Sequence, residues 1–192
     1  MRLGTRSLSG RVVCKNQHTI QAKIQGLLTL LLRSEPGVLS AFEKIWNTNE
    51  LLASFDGINY TLPLPEGERL KPSTPWPHVD QSPHLLGLQC IQGILNFAPN
   101  GPQDGGLVVL AGSQNFNEAY FKSHSKEKNP AWGTVPDDWH GFSPEEVEWF
   151  KERGAKEVKV CADPGDLIVW DSRCVHWNVL PQTGQTRSIV CK

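Results

Sequence analysis

The stretch that decides the fold is GDLIVWDSRCVHWN, residues 165–178. Its first half is an apolar, β-branched run entered from the turn formers at 164–166, which is typical of a strand that follows a tight turn. A short polar turn at 172–174 then leads to a second apolar segment that contains His176. The stretch therefore predicts two consecutive strands, the second of which carries a histidine between apolar neighbours.

Similar short runs lie on both sides of this stretch. They are LLASF (51–55), LLGLQCIQGILNF (85–97), GLVVLAG (106–112), EVKVC (157–161) and TRSIVC (186–191). Each is bounded by Gly, Pro, Asn or Asp, as strands joined by turns are. The pattern predicts an antiparallel, β-rich core, built either as a sandwich or as a jelly roll.

The N-terminal part of the chain is predicted to be helical. Apolar residues recur at helical spacing from Ile20 to Leu31, which indicates a first amphipathic helix. Ser34 then offers an N-cap, and Pro36 falls in the first turn of a second helix that runs to Trp46. We expect these helices to pack on one side of the strands.

A long segment interrupts the strands between residues 113 and 156. Ser143-Pro144-Glu145-Glu146 is a capping box, which predicts a helix through Arg153 that ends at Gly154. Trp132, Trp139 and His140 in this segment are candidates for a lid or a pocket wall. The predicted architecture is a β-rich α+β fold in a single domain, residues 1–192, with helical N-terminal support at 1–46 and an insertion at 113–156.

Composition narrows the classes of partner. The 19 basic and 20 acidic residues are mixed along the chain, so no basic stripe predicts nucleic-acid binding. The longest apolar run, residues 26–32, is too short to cross a bilayer, and residues 1–15 lack the apolar region of a signal peptide. Five cysteines without a CxxC pair indicate reduced thiols. We expect an intracellular, cytoplasmic protein that acts on a small molecule.

A candidate metal motif lies in PWPHVDQSP, residues 75–83. His-x-Asp alone is weak evidence, since such a pair arises readily by chance. In an extended segment, however, residues two apart point to the same side, and the three prolines favour extended backbone. His78 and Asp80 can therefore direct an imidazole nitrogen and a carboxylate oxygen at a common point.

Completing a metal site requires a third ligand from a distant strand. His176 is the natural candidate because it begins the second strand of the opening stretch. Two histidines and one carboxylate on one face leave three positions open, which suits non-haem Fe(II) that must hold a cosubstrate and O₂. If the cosubstrate is 2-oxoglutarate, Arg187, eleven residues after His176, can bind its far carboxylate with two parallel hydrogen bonds.

With these residues in place, the sequence resembles the phytanoyl-CoA dioxygenase family, especially its fungal-type members. The resemblance covers about residues 45–191, through IWNTNELLASFDGIN, HVD, GGLVVLAGSQNF, GDLIVWDSRCVHWN and Arg187. It implies a double-stranded β-helix, a cupin-like jelly-roll barrel with the metal site at its open end. It also implies that the iron ligands are His78, Asp80 and His176, and that Arg187 anchors 2-oxoglutarate.

Three further residues are expected to help hold the cosubstrate, namely Gln92, Gln81 and Asn178. The sequence departs from the family at Gln114, where relatives have histidine. The resemblance implies an Fe(II)- and 2-oxoglutarate-dependent dioxygenase that hydroxylates, or otherwise oxidises, a C–H bond of a small organic substrate. Succinate and CO₂ would be the coproducts. Two alternatives remain open: a metal-binding barrel that is not catalytic, and a metal-dependent hydrolase.

Overall fold

Antiparallel strands and short helices form the described part of the chain, residues 12–16, 19–22, 31–53, 58–61, 74–124, 139–182 and 187–191 of a computed structural model. The strands are β1 Val12–Asn16, β2 Thr19–Ala22, β3 Ile58–Thr61, β4 His78–Val79, β5 Ile91–Asn96, β6 Gly106–Ala111, β7 His140–Gly141, β8 Lys156–Lys159, β9 Leu167–Asp171, β10 His176–Val179 and β11 Arg187–Cys191. The helices are α1 Pro36–Trp46, α2 Asn117–His124 and α3 Pro144–Lys151, with a 3₁₀ turn at Ser113–Phe116.

The strands form two sheets. The six-stranded sheet has the order β1-β2-β3-β11-β5-β9, and the five-stranded sheet has the order β7-β4-β10-β6-β8. Every pairing between these described strands is antiparallel. The predicted combination of helices with an antiparallel, β-rich core is therefore confirmed.

The two faces of the five-stranded sheet pack against different partners. Val108 and Leu110 of β6 belong to a large core with aromatic residues of α2 and α3. Leu107, which points the other way along the same strand, packs with Ile94 of β5 and Ile168 of β9 in the other sheet. The second face therefore lies towards the six-stranded sheet, and side chains on it meet that sheet.

The prediction of a helix beginning at Ile20 is wrong. Residues 19–22 form β2, which pairs with β1 on one side and with β3 on the other. The apolar residues have helical spacing, but β2 forms ladder hydrogen bonds with strands on both sides. The β-branched Thr19 and Ile20 also favour a strand. Residues 31–33 are helical, and residues 23–30 of the predicted helix lie outside the described part of the chain.

Helix boundaries were predicted more closely in α1 and α3. Helix α1 ends at Trp46 as expected, but its N-cap is Glu35, not Ser34, and no side chain caps it. Helix α3 begins with the predicted capping box, in which Ser143 and Glu146 exchange hydrogen bonds. It ends at Lys151, two residues earlier than predicted, and the chain turns at Gly154 with a φ of 98°.

The predicted strand over 85–97 begins only at Ile91. The preceding residues form a loop because the side-chain amide of Gln81 donates to the carbonyls of Leu85 and Gly87, and Gly87 has a φ of 71°. Residues 51–53 of LLASF are likewise not in a strand, and residues 54–55 lie outside the described part. None of the helices in the described part has the length and hydropathy that a membrane crossing requires.

Candidate metal centre

Antiparallel pairing places His78 and His176 side by side. The two residues are direct cross-strand partners in β4 and β10, and their ring centroids are 4.3 Å apart. His176 is also paired with Val109, so its side chain lies on the face of the sheet that meets the six-stranded sheet. Both rings are buried, at 5% and 4% exposure.

Asp80 follows β4 and completes the cluster. Its Oδ1 lies 3.5 Å from His78 Nε2, and its Oδ2 lies 3.4 Å from His176 Nε2. One ligand atom from each of the three residues lies within 4.8 Å of the others. Atoms that share one metal ion at roughly 2.1 Å and at right angles are about 3 Å apart, so these separations fit a common ion after a small adjustment.

Backbone carbonyls set which nitrogen of each histidine is free. Nδ1 of His78 lies 2.9 Å from the carbonyl oxygen of Trp76, and Nδ1 of His176 lies 3.0 Å from that of Cys174. A carbonyl only accepts, so each Nδ1 carries the proton and each Nε2 keeps its lone pair. This arrangement, in which a second hydrogen bond orients each ring, is typical of metal-binding histidines.

The electrostatics of the cluster favour a neutral His78 beside an ionised Asp80. Burial, together with the neighbouring His176, lowers the pKa of His78 to about 4. Burial acts to raise the pKa of Asp80, but the neighbouring His176 and His78 and the amide of Gln92 together lower it to about 2. These are the protonation states that a divalent metal ion requires of its ligands.

Gln92 connects the six-stranded sheet to the cluster. It lies on β5, and its Nε2 donates to Asp80 Oδ2 over 2.6 Å. This hydrogen bond holds the carboxylate between the two histidines. The structure therefore places Gln92 at the centre, in contact with a predicted ligand.

Unlike Gln92, Gln81 makes its hydrogen bonds to the loop that follows the motif and to Ser172. Both of its amide hydrogens are donated to the carbonyls of the 85–87 loop, and its Oε1 accepts from the buried hydroxyl of Ser172, 2.9 Å away. Asp80 N also donates to the carbonyl of Ser172. Gln81 thus connects the loop that follows the motif to the segment that precedes His176. These hydrogen bonds give Gln81 a structural role.

Asn178 lies on β10 and Arg187 lies on β11. Asn178 is exposed on β10 opposite Leu107, two residues after His176 and so on the same face. Arg187 begins β11, which lies between β3 and β5 in the six-stranded sheet, and is paired with Thr61. The role of either residue towards a cosubstrate stays a prediction.

Tryptophan side chains contact both histidines, and Trp76 and Trp170 were not predicted to lie at the site. Trp76 stacks on His78 with the centroids 4.0 Å apart, and Trp170 of β9 meets the edge of His176 at 5.4 Å. Of the candidates in the insertion, Trp139 contacts His78 edge-on at 6.4 Å, whereas Trp132 lies outside the described residues. Trp76 could have been found from its position two residues before His78, but Trp170 required the strand register.

No protein-family model matches the chain. A curated relative is Ava biosynthesis cluster protein O of Aspergillus versicolor, which is 44% identical over 156 residues. The match covers 81% of this chain and 50% of the relative, so the chain spans about half the length of that protein.

Several solved structures share the fold. The epimerase SnoN, in complex with Fe³⁺, alpha-ketoglutarate and nogalamycin RO, has a TM-score of 0.56 at 17% identity, over 90% of this chain and 61% of its own. HygX from Streptomyces hygroscopicus, with nickel, 2-oxoglutarate and hygromycin B bound, has a TM-score of 0.55 at 14% identity, over 95% and 72%. EctD from S. alaskensis, with 2-oxoglutarate and 5-hydroxyectoine, has a TM-score of 0.53 at 12% identity, over 90% and 54%. The chain thus has the fold of proteins that were solved with a metal ion or 2-oxoglutarate.

Proposed function

We propose that the chain carries the catalytic centre of an Fe(II)- and 2-oxoglutarate-dependent dioxygenase that oxidises a C–H bond of a small organic substrate, with succinate and CO₂ as coproducts. The observation that carries the proposal is the pair of histidines, each with Nδ1 tied to a backbone carbonyl and Nε2 directed at Asp80. Two imidazole nitrogens and one carboxylate on one face are the donor set that suits non-haem Fe(II).

The residues fit a metal ion chemically as well as geometrically. His78, Asp80 and His176 would hold it, and Asp80, whose side chain is 36% exposed, marks the side open to ligands. When bound, ferrous iron supplies the activation of O₂ that no side chain can provide. The protein supplies the orientation: Gln92 holds Asp80, and the carbonyls of residues 76 and 174 hold the histidine rings.

Cosubstrate binding is proposed to depend on Arg187. A guanidinium on β11 offers the planar fork that pairs with a carboxylate, which suits the C5 carboxylate of 2-oxoglutarate. Asn178, on the same face as His176, is proposed as a further contact because it is exposed beside the centre. Gln81 is a weaker candidate, since its amide hydrogens already bind the 85–87 loop.

The proposed architecture is a double-stranded β-helix in a single domain over 1–192. The order of strands supports it: β4, β6, β8 and β10 belong to one sheet and β3, β5, β9 and β11 to the other, so the chain passes repeatedly between the sheets. The neighbours solved with iron, nickel or 2-oxoglutarate support the cofactors. We further propose that the substrate is a small natural product or metabolite, because the curated relative belongs to a biosynthesis cluster.

The proposal is tested by adding Fe(II) and then 2-oxoglutarate to the protein without oxygen and recording visible absorption. Chelation of ferrous iron by the keto acid should produce a charge-transfer band at one equivalent of each. Arg187→Ala should weaken 2-oxoglutarate binding and spare metal binding, whereas Arg187→Lys should retain part of the cosubstrate affinity. Metal binding without any band at saturating 2-oxoglutarate would favour a metal-binding module or a hydrolase.

A further inference from the structure

Two buried polar atoms beside the metal centre have no hydrogen-bond partner among the described residues. They are the carbonyl oxygen Oε1 of Gln92 and the indole nitrogen Nε1 of Trp170. A buried polar atom without a partner is unfavourable, so such atoms are uncommon in folded proteins. One of these atoms is an acceptor and the other a donor, so the two together call for a group that can both donate and accept a hydrogen bond.

Sheet register brings the two side chains together. Gln92 of β5 and Trp170 of β9 are direct cross-strand partners, so both side chains lie on the same face of the six-stranded sheet. Each also contacts a different member of the metal centre: Gln92 donates to Asp80, and the Trp170 ring meets the edge of His176. The two side chains that carry the unpartnered donor and acceptor therefore both contact the same centre.

The identity of the unpartnered Gln92 atom follows from chemistry. Gln92 Nε2 donates to Asp80 Oδ2 over 2.6 Å, so the end of the Gln92 amide that faces the carboxylate is the NH₂ group. The carbonyl oxygen is then the free end. Trp170 can only donate, through its indole N–H.

From these contacts we infer that Gln92 and Trp170 form a subsite for a hydroxyl oxygen next to the metal centre. A hydroxyl group accepts from the Trp170 N–H and donates to Gln92 Oε1, so it satisfies both atoms at once. An ionised carboxylate has no hydrogen to give Gln92 Oε1, and the two oxygens would repel each other. The oxygen belongs either to an ordered water or to an alcohol group of a bound molecule. The inference rests on the proposed function only in taking His78, Asp80 and His176 as the metal site.

The subsite is tested by crystal structures of the chain loaded with Mn(II) and 2-oxoglutarate, with and without glycerol as the hydroxyl probe. We expect an oxygen atom within about 3.2 Å of both Gln92 Oε1 and Trp170 Nε1. A water in the glycerol-free crystal that gives way to a glycerol hydroxyl identifies a ligand subsite, and a water that persists in both identifies an ordered solvent site. A direct hydrogen bond between the two side chains, or no oxygen within reach of both, would overturn the inference.

Variants separate this outcome from failure of the metal site. Trp170→Phe removes the donor and keeps a ring against His176, so the bound oxygen should be lost from the crystal while Mn(II) binding persists. Trp149→Phe is the matched control, because the Trp149 ring packs on Tyr120 and Phe150 instead, and it should keep the oxygen. Retention of the oxygen at the same place in Trp170→Phe would refute the role of the indole. If the unaltered chain does not bind Mn(II), the proposed metal site is refuted instead.

Discussion

The burial of His78 makes the stability of the metal-free protein depend on pH in a defined way. The pKa of this imidazole falls from its ordinary value of 6.5 to about 4, mainly through burial and secondly through His176. Between these two values the unfolded chain binds a proton that the folded chain does not. Stability is therefore fully present above about pH 6.5 and is lost as the pH falls towards 4.

The size of the effect follows from the same shift. At low pH this pKa difference lowers the free energy of unfolding by about 3 kcal/mol. About 2 kcal/mol of that loss should occur between about pH 7 and about pH 5. Because the His78 side chain is only 6% exposed, solvent screens its charge only weakly. The lower of these pH values is chosen so that most carboxylates remain ionised.

The assay is urea unfolding in the presence of a chelator at both pH values. His78→Gln cannot titrate, so its loss of unfolding free energy between the two should be about 2 kcal/mol smaller than that of the unaltered chain. His84→Gln is the matched control, since His84 is exposed, and should behave like the unaltered chain. Equal pH dependence in His78→Gln and the unaltered chain would refute the account of a buried, neutral His78.

Two further predictions concern the scaffold that supports the site. Gly105→Ala should destabilise the protein by more than Gly165→Ala, as measured by urea unfolding. Both glycines have positive φ, which costs an alanine about 1 to 2 kcal/mol, but only at Gly105 would the new Cβ come within 2.6 Å of the backbone nitrogen of Pro181. Equal losses would contradict the close approach. Ser143→Ala should cost about 1 kcal/mol because it removes the cap of α3, whereas Ser143→Thr should retain most of that stability; no difference between the two would argue against the capping role.

The strands were predicted best where turn formers and apolar runs coincide. GLVVLAG and DLIVWD became β6 and β9 with bounds within a residue of the prediction. The errors arose where contacts with residues outside a run outweighed the pattern within it. Residues 20–22 belong to strand β2 instead of a helix, and residues 85–90 form a loop that is bound by the amide of Gln81.

The clustering of the three proposed ligands could be predicted from the sequence, whereas the contacts that support them could not. His78 and Asp80 are two residues apart in an extended segment, and His176 begins a strand, so their types and positions already indicated a shared metal. The contacts of Gln92 and Trp170 depend on which strands are neighbours and in which register. That information arises only once the two sheets have formed, so the hydrogen bond to Asp80 and the unpartnered indole could not be derived from the sequence.

The central claim, that three side chains hold one ferrous ion, is tested most directly by equilibrium dialysis of the protein against Fe(II) without oxygen. The account predicts one tightly bound ion per chain and its loss in Asp80→Ala, which removes the carboxylate that lies between the two histidines. Glu148→Ala, a change at an exposed carboxylate on α3, should leave binding unchanged. Equal Fe(II) binding by the unaltered chain and Asp80→Ala would contradict the account.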